Sequence, residues 1–134
     1  MPESKNVHTG SCLCGGVRYT VRGALREVIA CHCTQCRKTS GHYAAMTSAP
    51  RTDLAFTQSA SLAWYKSSDT AERGFCRVCG GNLFWRRLAD DQVSICAGTL
   101  DLPTGIAISE HIFVDDKSDY YALVDELPKK AQWK

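Results

Sequence analysis

Residues 12–21 read Cys12-Leu13-Cys14-Gly15-Gly16-Val17-Arg18-Tyr19-Thr20-Val21, a pair of thiols on a tight turn that runs directly into an alternating segment. Successive side chains of a strand point to opposite sides, so Val17, Tyr19 and Val21 share one apolar face. The turn recurs downstream as Cys76-Arg77-Val78-Cys79-Gly80-Gly81. In both copies two glycines follow the second thiol. Glycine lets the backbone adopt positive φ and fold its amides back toward sulfur, where N–H groups stabilise thiolate charge. The match between the turns predicts that Cys12, Cys14, Cys76 and Cys79 share one zinc site. Four thiolates leave tetrahedral zinc no vacant position, so the site is expected to be structural. Either pair alone is readable as a redox dithiol or as buried free thiols; two pairs with matched glycine tails favour metal.

Outward from these turns, most of the chain consists of short β-branched and aromatic stretches closed by Gly, Pro, Asp or Ser. Strands are expected at 61–65, 82–85, 93–97 and 106–114, and the fold class is all-β. Trp64 and Trp85 fall in strand patterns and are expected in the core. One helical turn is expected over 34–40, with Thr34 as its cap. Residues 122–127 are readable as strand or as turn. No repeat, low-complexity tract or linker marks a second unit, so a single domain over 1–134, with its core at about 10–128, is expected.

That helical turn sits inside a denser cysteine cluster, Cys31-His32-Cys33-Thr34-Gln35-Cys36. In extended chain Cys31 and Cys33 point the same way and His32 the opposite way, and a turn beginning near Thr34 brings Cys36 round to join them. Three sulfurs then converge, and the fourth position falls to solvent, substrate, His32 or Cys96. An open position is the mark of catalytic zinc. His32 is expected to face away from the metal in a supporting or packing role. Cys96, in Val93-Ser94-Ile95-Cys96-Ala97, reads as a small buried hydrophobe.

Composition sets the frame. With 134 residues, 44% apolar and 22% charged, the chain is ordinary for a soluble globular domain. The first ten residues lack the apolar run of a secretory signal, and no segment approaches a membrane span, which gives a cytoplasmic expectation. Eight cysteines in a reducing compartment are expected to serve metal rather than disulfides. The formal charge of +2 turns slightly negative once seven cysteines are counted as thiolates around two zinc ions, so no basic field points to nucleic acid. Lys129 and Lys130 read as a solvated tail.

Five motifs in order complete the reading: G-S-C-L-C-G-G-V-R-Y at 10–19, C-H-C-T-Q-C-R-K-T-S-G at 31–41, F-C-R-V-C-G-G at 75–81, A-G-T-L-D at 97–101 and H-I-F-V-D-D-K at 111–117. Together they resemble the glutathione-dependent formaldehyde-activating enzyme family, which also includes centromere protein V, over about residues 10–128. The resemblance implies a β-tent of stacked antiparallel sheets, a structural zinc on Cys12, Cys14, Cys76 and Cys79, and a labile zinc on Cys31, Cys33 and Cys36. It also implies carbon–sulfur lyase chemistry: the thiol of glutathione adds to formaldehyde to give S-hydroxymethylglutathione, or the reverse. On this reading Cys31, Cys33 and Cys36 serve catalysis as ligands of the open zinc. The partner is a small thiol such as glutathione, with neither nucleic acid nor membrane. Arg37 and Lys38 are placed to meet a substrate carboxylate, with a solvated turn as the alternative for these two basic residues, and Ser40 and Gly41 to line the mouth. Where the family often has tryptophan after the H-I-F-V segment, this chain has Tyr120 and Tyr121.

Two rival classes are weaker. Methionine sulfoxide reduction needs a reactive cysteine between arginine-aromatic and x-asparagine, and Cys96 lies in Ser94-Ile95-Cys96-Ala97-Gly98. A zinc-stabilised, non-enzymatic binding module would show a basic or aromatic stripe, and the sequence has none.

Overall fold

The alternating segments pair into two sheets in the computed structural model, which describes residues 6–133. The expectation of no leader, in so far as it rests on residues 1–5, and the outer limits of the expected domain lie outside the described residues. The smaller sheet is antiparallel, in the order β1 (Val7–Ser11), β2 (Arg18–Arg22), β5 (Leu54–Gln58). The larger sheet runs β10 (Ile108–Ile112), β3 (Val28–Cys31), β4 (Ala44–Pro50), β9 (Gln92–Cys96), β8 (Asn82–Arg87), β7 (Ala71–Cys76), β6 (Leu62–Lys66). The helix α1 (Thr34–Ser40) joins β3 to β4. The all-β expectation holds, with one short helix.

Two sheets meeting through one apolar layer explain the pattern of the opening stretch. Val17, Tyr19 and Val21 are 0%, 1% and 0% exposed, and they pack with Ala49, Leu83, Phe84, Val93 and Ile95 of the larger sheet. The Tyr19 ring meets Phe84 edge-on at 5.4 Å, a favourable aromatic geometry. Its hydroxyl, which burial would otherwise leave unpaired, lies 2.7 Å from Thr99 Oγ1. Trp64 packs against the same layer, stacked on Phe84, while Trp85 is half-buried.

Several local expectations change. The pairing is not wholly antiparallel, because β10 lies parallel to β3. Those two strands are joined by most of the chain rather than by a hairpin, so no tight turn dictates their direction. The helix is capped by Cys33, whose sulfur accepts from the Cys36 amide at 3.3 Å; Thr34 is the first helical residue. The thiol takes the place of a capping hydroxyl because that amide already points at it. Residues 122–127 form neither strand nor regular turn. Lys129 and Lys130 are not a solvated tail. Backbone bonds tie His111 to Pro128 and Lys130 to His111, and Lys130 Nζ reaches Glu110 at 2.7 Å. The last segment thereby gives its backbone groups partners beside β10.

Candidate metal centres

The first cluster joins the two sheets at their hairpin tips. Cys12 and Cys14 lie in the β1–β2 connection, Cys76 ends β7, and Cys79 sits in the β7–β8 connection. Their four sulfurs lie within 4.8 Å of one another. Cys12 Sγ is 3.7 Å from Cys14 Sγ, and Cys14 Sγ is 3.5 Å from Cys76 Sγ. Tetrahedral zinc with sulfur ligands at about 2.3 Å requires sulfurs about 3.8 Å apart, so the donor set fits that ion. Gly15 and Gly80 adopt matching φ of 79° and 78°, the left-handed conformation that lets each turn double back. Amides then reach the sulfurs: Val17 N to Cys12 at 3.3 Å, Val78 N to Cys76 at 3.4 Å and Cys79 N to Cys76 at 3.3 Å. The Cys79 amide first, then the Ser61 hydroxyl, pulls the Cys76 thiol down to about 5, which favours the thiolate a metal needs.

The second cluster is built from one segment. Cys31 ends β3, Cys33 caps α1 and Cys36 lies in its first turn; their sulfurs also fall within 4.8 Å of one another. Hydrogen bonds from Cys31 and Cys36 hold the Cys33 thiol far below its ordinary range, and the same sharing pushes Cys31 up. Three thiols thus share protons as one unit and present an acidic sulfur to an incoming cation. Both clusters are chemically suited to a metal ion.

Among the described residues, neither candidate for a fourth protein ligand joins the three sulfurs. His32 is fully buried and both its ring nitrogens are engaged, Nδ1 with the Tyr121 hydroxyl at 2.8 Å and Nε2 with His111 Nδ1 at 2.9 Å. Burial first, then the neighbouring His111, pushes its pKa down to about 4, so the ring is neutral near pH 7. The chain continues from His111 Nε2 to Asp125 Oδ2 at 2.8 Å, and His111 first, then Lys129, lowers that carboxyl to about 2. An ionised Asp125 can only accept, so His111 Nε2 donates to it. A neutral His32 donates from one ring nitrogen and accepts at the other, between Tyr121 and His111. Cys96 is half-buried on β9, and burial pushes its thiol up to about 12.

Beside the second cluster lies a cavity of about 370 Å³, whose lining includes Ser40, Tyr43, Met46, Arg73, Phe84 and Cys96. Ser40 stands at this mouth, with its Oγ donating to Cys36 O at 2.7 Å. The other expected contacts are placed differently. Arg37 Nε donates to Asp116 O at 3.1 Å, Lys38 is exposed, and Gly41 terminates α1 at φ 85°.

Sequence reasoning missed Arg73. It is 8% exposed, on β7, and its Nη2 lies 3.7 Å from Cys36 Sγ and 3.3 Å from Gln35 Oε1. The signal was its parity: Arg73 shares a face with buried Ala71, where an apolar residue is the rule. His111, Tyr121 and Asp125 were also missed as a unit, since nothing in their spacing announces a chain of hydrogen bonds running from His32.

Comparison with known proteins agrees with these observations. The family model for the glutathione-dependent formaldehyde-activating enzyme matches residues 7–116. An uncharacterized lyase of Schizosaccharomyces pombe is 27% identical over 123 residues, covering 90% of this chain and 85% of the relative. A Rhodobacter sphaeroides protein solved as a structural-genomics target superposes with a TM-score of 0.58 at 29% identity, covering 70% of this chain and 88% of its own.

Proposed function

The chain belongs to the glutathione-dependent formaldehyde-activating enzyme family, and on that premise we propose that it is a zinc-dependent enzyme of the carbon–sulfur lyase type. Its substrates are a small thiol such as glutathione and a small aldehyde such as formaldehyde, joined as a thiohemiacetal or released from one. The observation that carries this reading is the contrast between the clusters. Four sulfurs bridge two sheets in one, whereas the other has three and no further protein donor among the described residues. When bound by three thiolates, zinc supplies a cationic position that favours the thiolate of an incoming thiol over its protonated form.

The chain's own residues do the rest. Cys31, Cys33 and Cys36 would hold the ion from one short segment, and the Cys36 amide fixes the Cys33 sulfur. Arg73 sets a positive charge beside Cys36, offsetting the excess negative charge of three thiolates. His32, held neutral and bonded at both nitrogens, keeps Cys31 and Cys33 in register and has no free nitrogen to give a bound ion, so a further donor would come from substrate. Ser40 and Tyr43 wall the cavity where the aldehyde approaches. A cytoplasmic, reducing setting belongs to the same proposal and is supported by eight free cysteines.

Cobalt substituted for zinc gives the test, because sulfur-to-metal charge transfer reports each thiolate that joins the centre. Titrating glutathione should strengthen that band, S-methylglutathione should leave it unchanged, and Cys36→Ser should abolish the response. An equal response to thiol and thioether would remove the chemical basis of the proposal.

A further inference from the structure

An arginine buried beside three cysteines needs an explanation for its charge. Arg73 lies on β7, one strand in from the β6 edge of the larger sheet, between Tyr65 of β6 and Trp85 of β8, and neither neighbour is acidic. Glu72, the adjacent carboxylate, is committed to Arg86 at 2.6 Å. Among the described residues no carboxylate pairs with Arg73. Of the five N–H donors on a guanidinium, those on Nη2 are spent on Gln35 and Cys36, both at long range. Nε is buried without a partner, and Nη1 makes no hydrogen bond among the described residues. Burying a guanidinium with donors unspent costs free energy that nothing in the fold returns. A loaded three-cysteine centre offsets only the side facing Cys36.

We propose that Arg73 is the recognition residue for a carboxylate of the substrate, received in the 370 Å³ cavity beside Cys31, Cys33 and Cys36. The end of the planar guanidinium, where the unspent Nη1 lies beside Nη2, is a fork that matches two carboxylate oxygens once one of the long Nη2 contacts is released. Among the described residues, Arg73 is the one cationic side chain lining the cavity. A single fork suits a monoanionic carboxylate, whereas a phosphate dianion calls for further cations. Ser40 and Thr99 add hydroxyls to the same wall, and Phe84, Met46 and Ala45 form an apolar floor for the carbon skeleton. This inference rests on the thiol-and-aldehyde reading and narrows it: one reactant carries an acid group a few atoms from its reacting centre. The acid group belongs either to the thiol or to the aldehyde, which would then be an oxo acid.

The test uses the full zinc-loaded chain labelled with ¹⁵N and reads the side-chain Nε–H resonance of Arg73, assigned by its loss in Arg73→Lys. Propionate, which has neither thiol nor aldehyde, should shift this resonance saturably, and propionamide should not. Of 3-mercaptopropionate and glyoxylate, the one that displaces propionate at the lower concentration assigns the acid, to the thiol in the first case and to the aldehyde in the second. Either result supports the proposal. At the cobalt centre, the wild type should bind whichever acid reactant displaces propionate, or its inhibitor analogue, about ten- to a hundredfold tighter than the uncharged counterpart, as expected for hydrogen bonds between charged groups. Arg73→Met should erase that preference while keeping its metal, and Arg73→Lys should retain part of it. Equal weakening of acidic and neutral ligands in Arg73→Met, together with metal loss, would make Arg73 a counter-charge for Cys36 only and overturn the proposal. So would an Arg73 resonance that ignores propionate. A cobalt centre silent to every thiol, with propionate still shifting Arg73, would sink the lyase reading and leave carboxylate recognition standing.

Discussion

Replacing one sulfur in each cluster by oxygen should separate the two centres by their effect on folding. Cys14→Ser and Cys33→Ser make a matched pair. Cys14 is exposed, so its loss removes a ligand without opening the core. Cys33 caps α1 through its side chain, and serine keeps a capping acceptor there while removing the sulfur. Each substitution weakens its metal link, but the links close very different loops. Cys14 and Cys76 are separated by 62 positions, whereas Cys33 and Cys36 are separated by 3. Treating each link as a covalent clip on the unfolded chain, closing the long loop is worth about 4 kcal/mol and the short one about 2 kcal/mol or less. A domain of this size has a net stability of roughly 5–15 kcal/mol, so the first loss removes a large share and the second a small one. Urea unfolding in the presence of zinc, followed by tryptophan fluorescence, should show a much lower midpoint for Cys14→Ser and a near-normal midpoint for Cys33→Ser. Equal shifts would refute the assignment of the two-sheet staple to the first cluster.

His111→Ala should destabilise the fold by about 1–3 kcal/mol in the same assay, because it strips a partner from buried His32 Nε2. A neutral outcome would mean that the chain from Tyr121 to Asp125 does not hold His32 in place. Under mild chelation, a colorimetric thiol reagent should first find Cys31, Cys33 and Cys36, with Cys12, Cys14, Cys76 and Cys79 reacting only after stronger treatment. Simultaneous reaction of all seven would contradict a division into open and closed centres.

The parts legible in the sequence were those encoded by local rules. Two thiols followed by two glycines is a complete recipe for a knuckle, and its repetition at Gly80 was enough to pair turns that the fold brings together from different sheets. The alternation from Val17 to Val21 fixed a buried face before any partner strand was known. The strands β1, β3, β4, β5 and β7 are not among those expected from the sequence, and for β3, β4 and β7 the reason is physical. They lie inside the larger sheet, where neighbours on either side supply the pairing, so Val28–Cys31 and Ala44–Pro50 need no alternating pattern of their own. The parallel pairing of β10 with β3 is likewise a property of the whole sheet and is absent from either strand alone.

Basic residues near the second cluster show the limit of reasoning by sequence proximity. Arg37 and Lys38 follow Cys36 directly, which made them natural partners for a substrate acid, yet a helix turns successive side chains about 100° apart. The turn that brings Cys36 inward to join Cys31 and Cys33 therefore carries Arg37 toward Asp116 O and leaves Lys38 in solvent. A cation can approach the sulfurs from the side only on a different element. The neighbouring hairpin strand β7 supplies it, with Arg73 reaching Cys36 across 37 positions of sequence. The residue that gives the site its charge is thus fixed by sheet topology, while the residues that could hold metal are fixed by spacing. For that reason the candidate metal centres could be read from the chain, and the residue proposed to recognise the substrate acid could not.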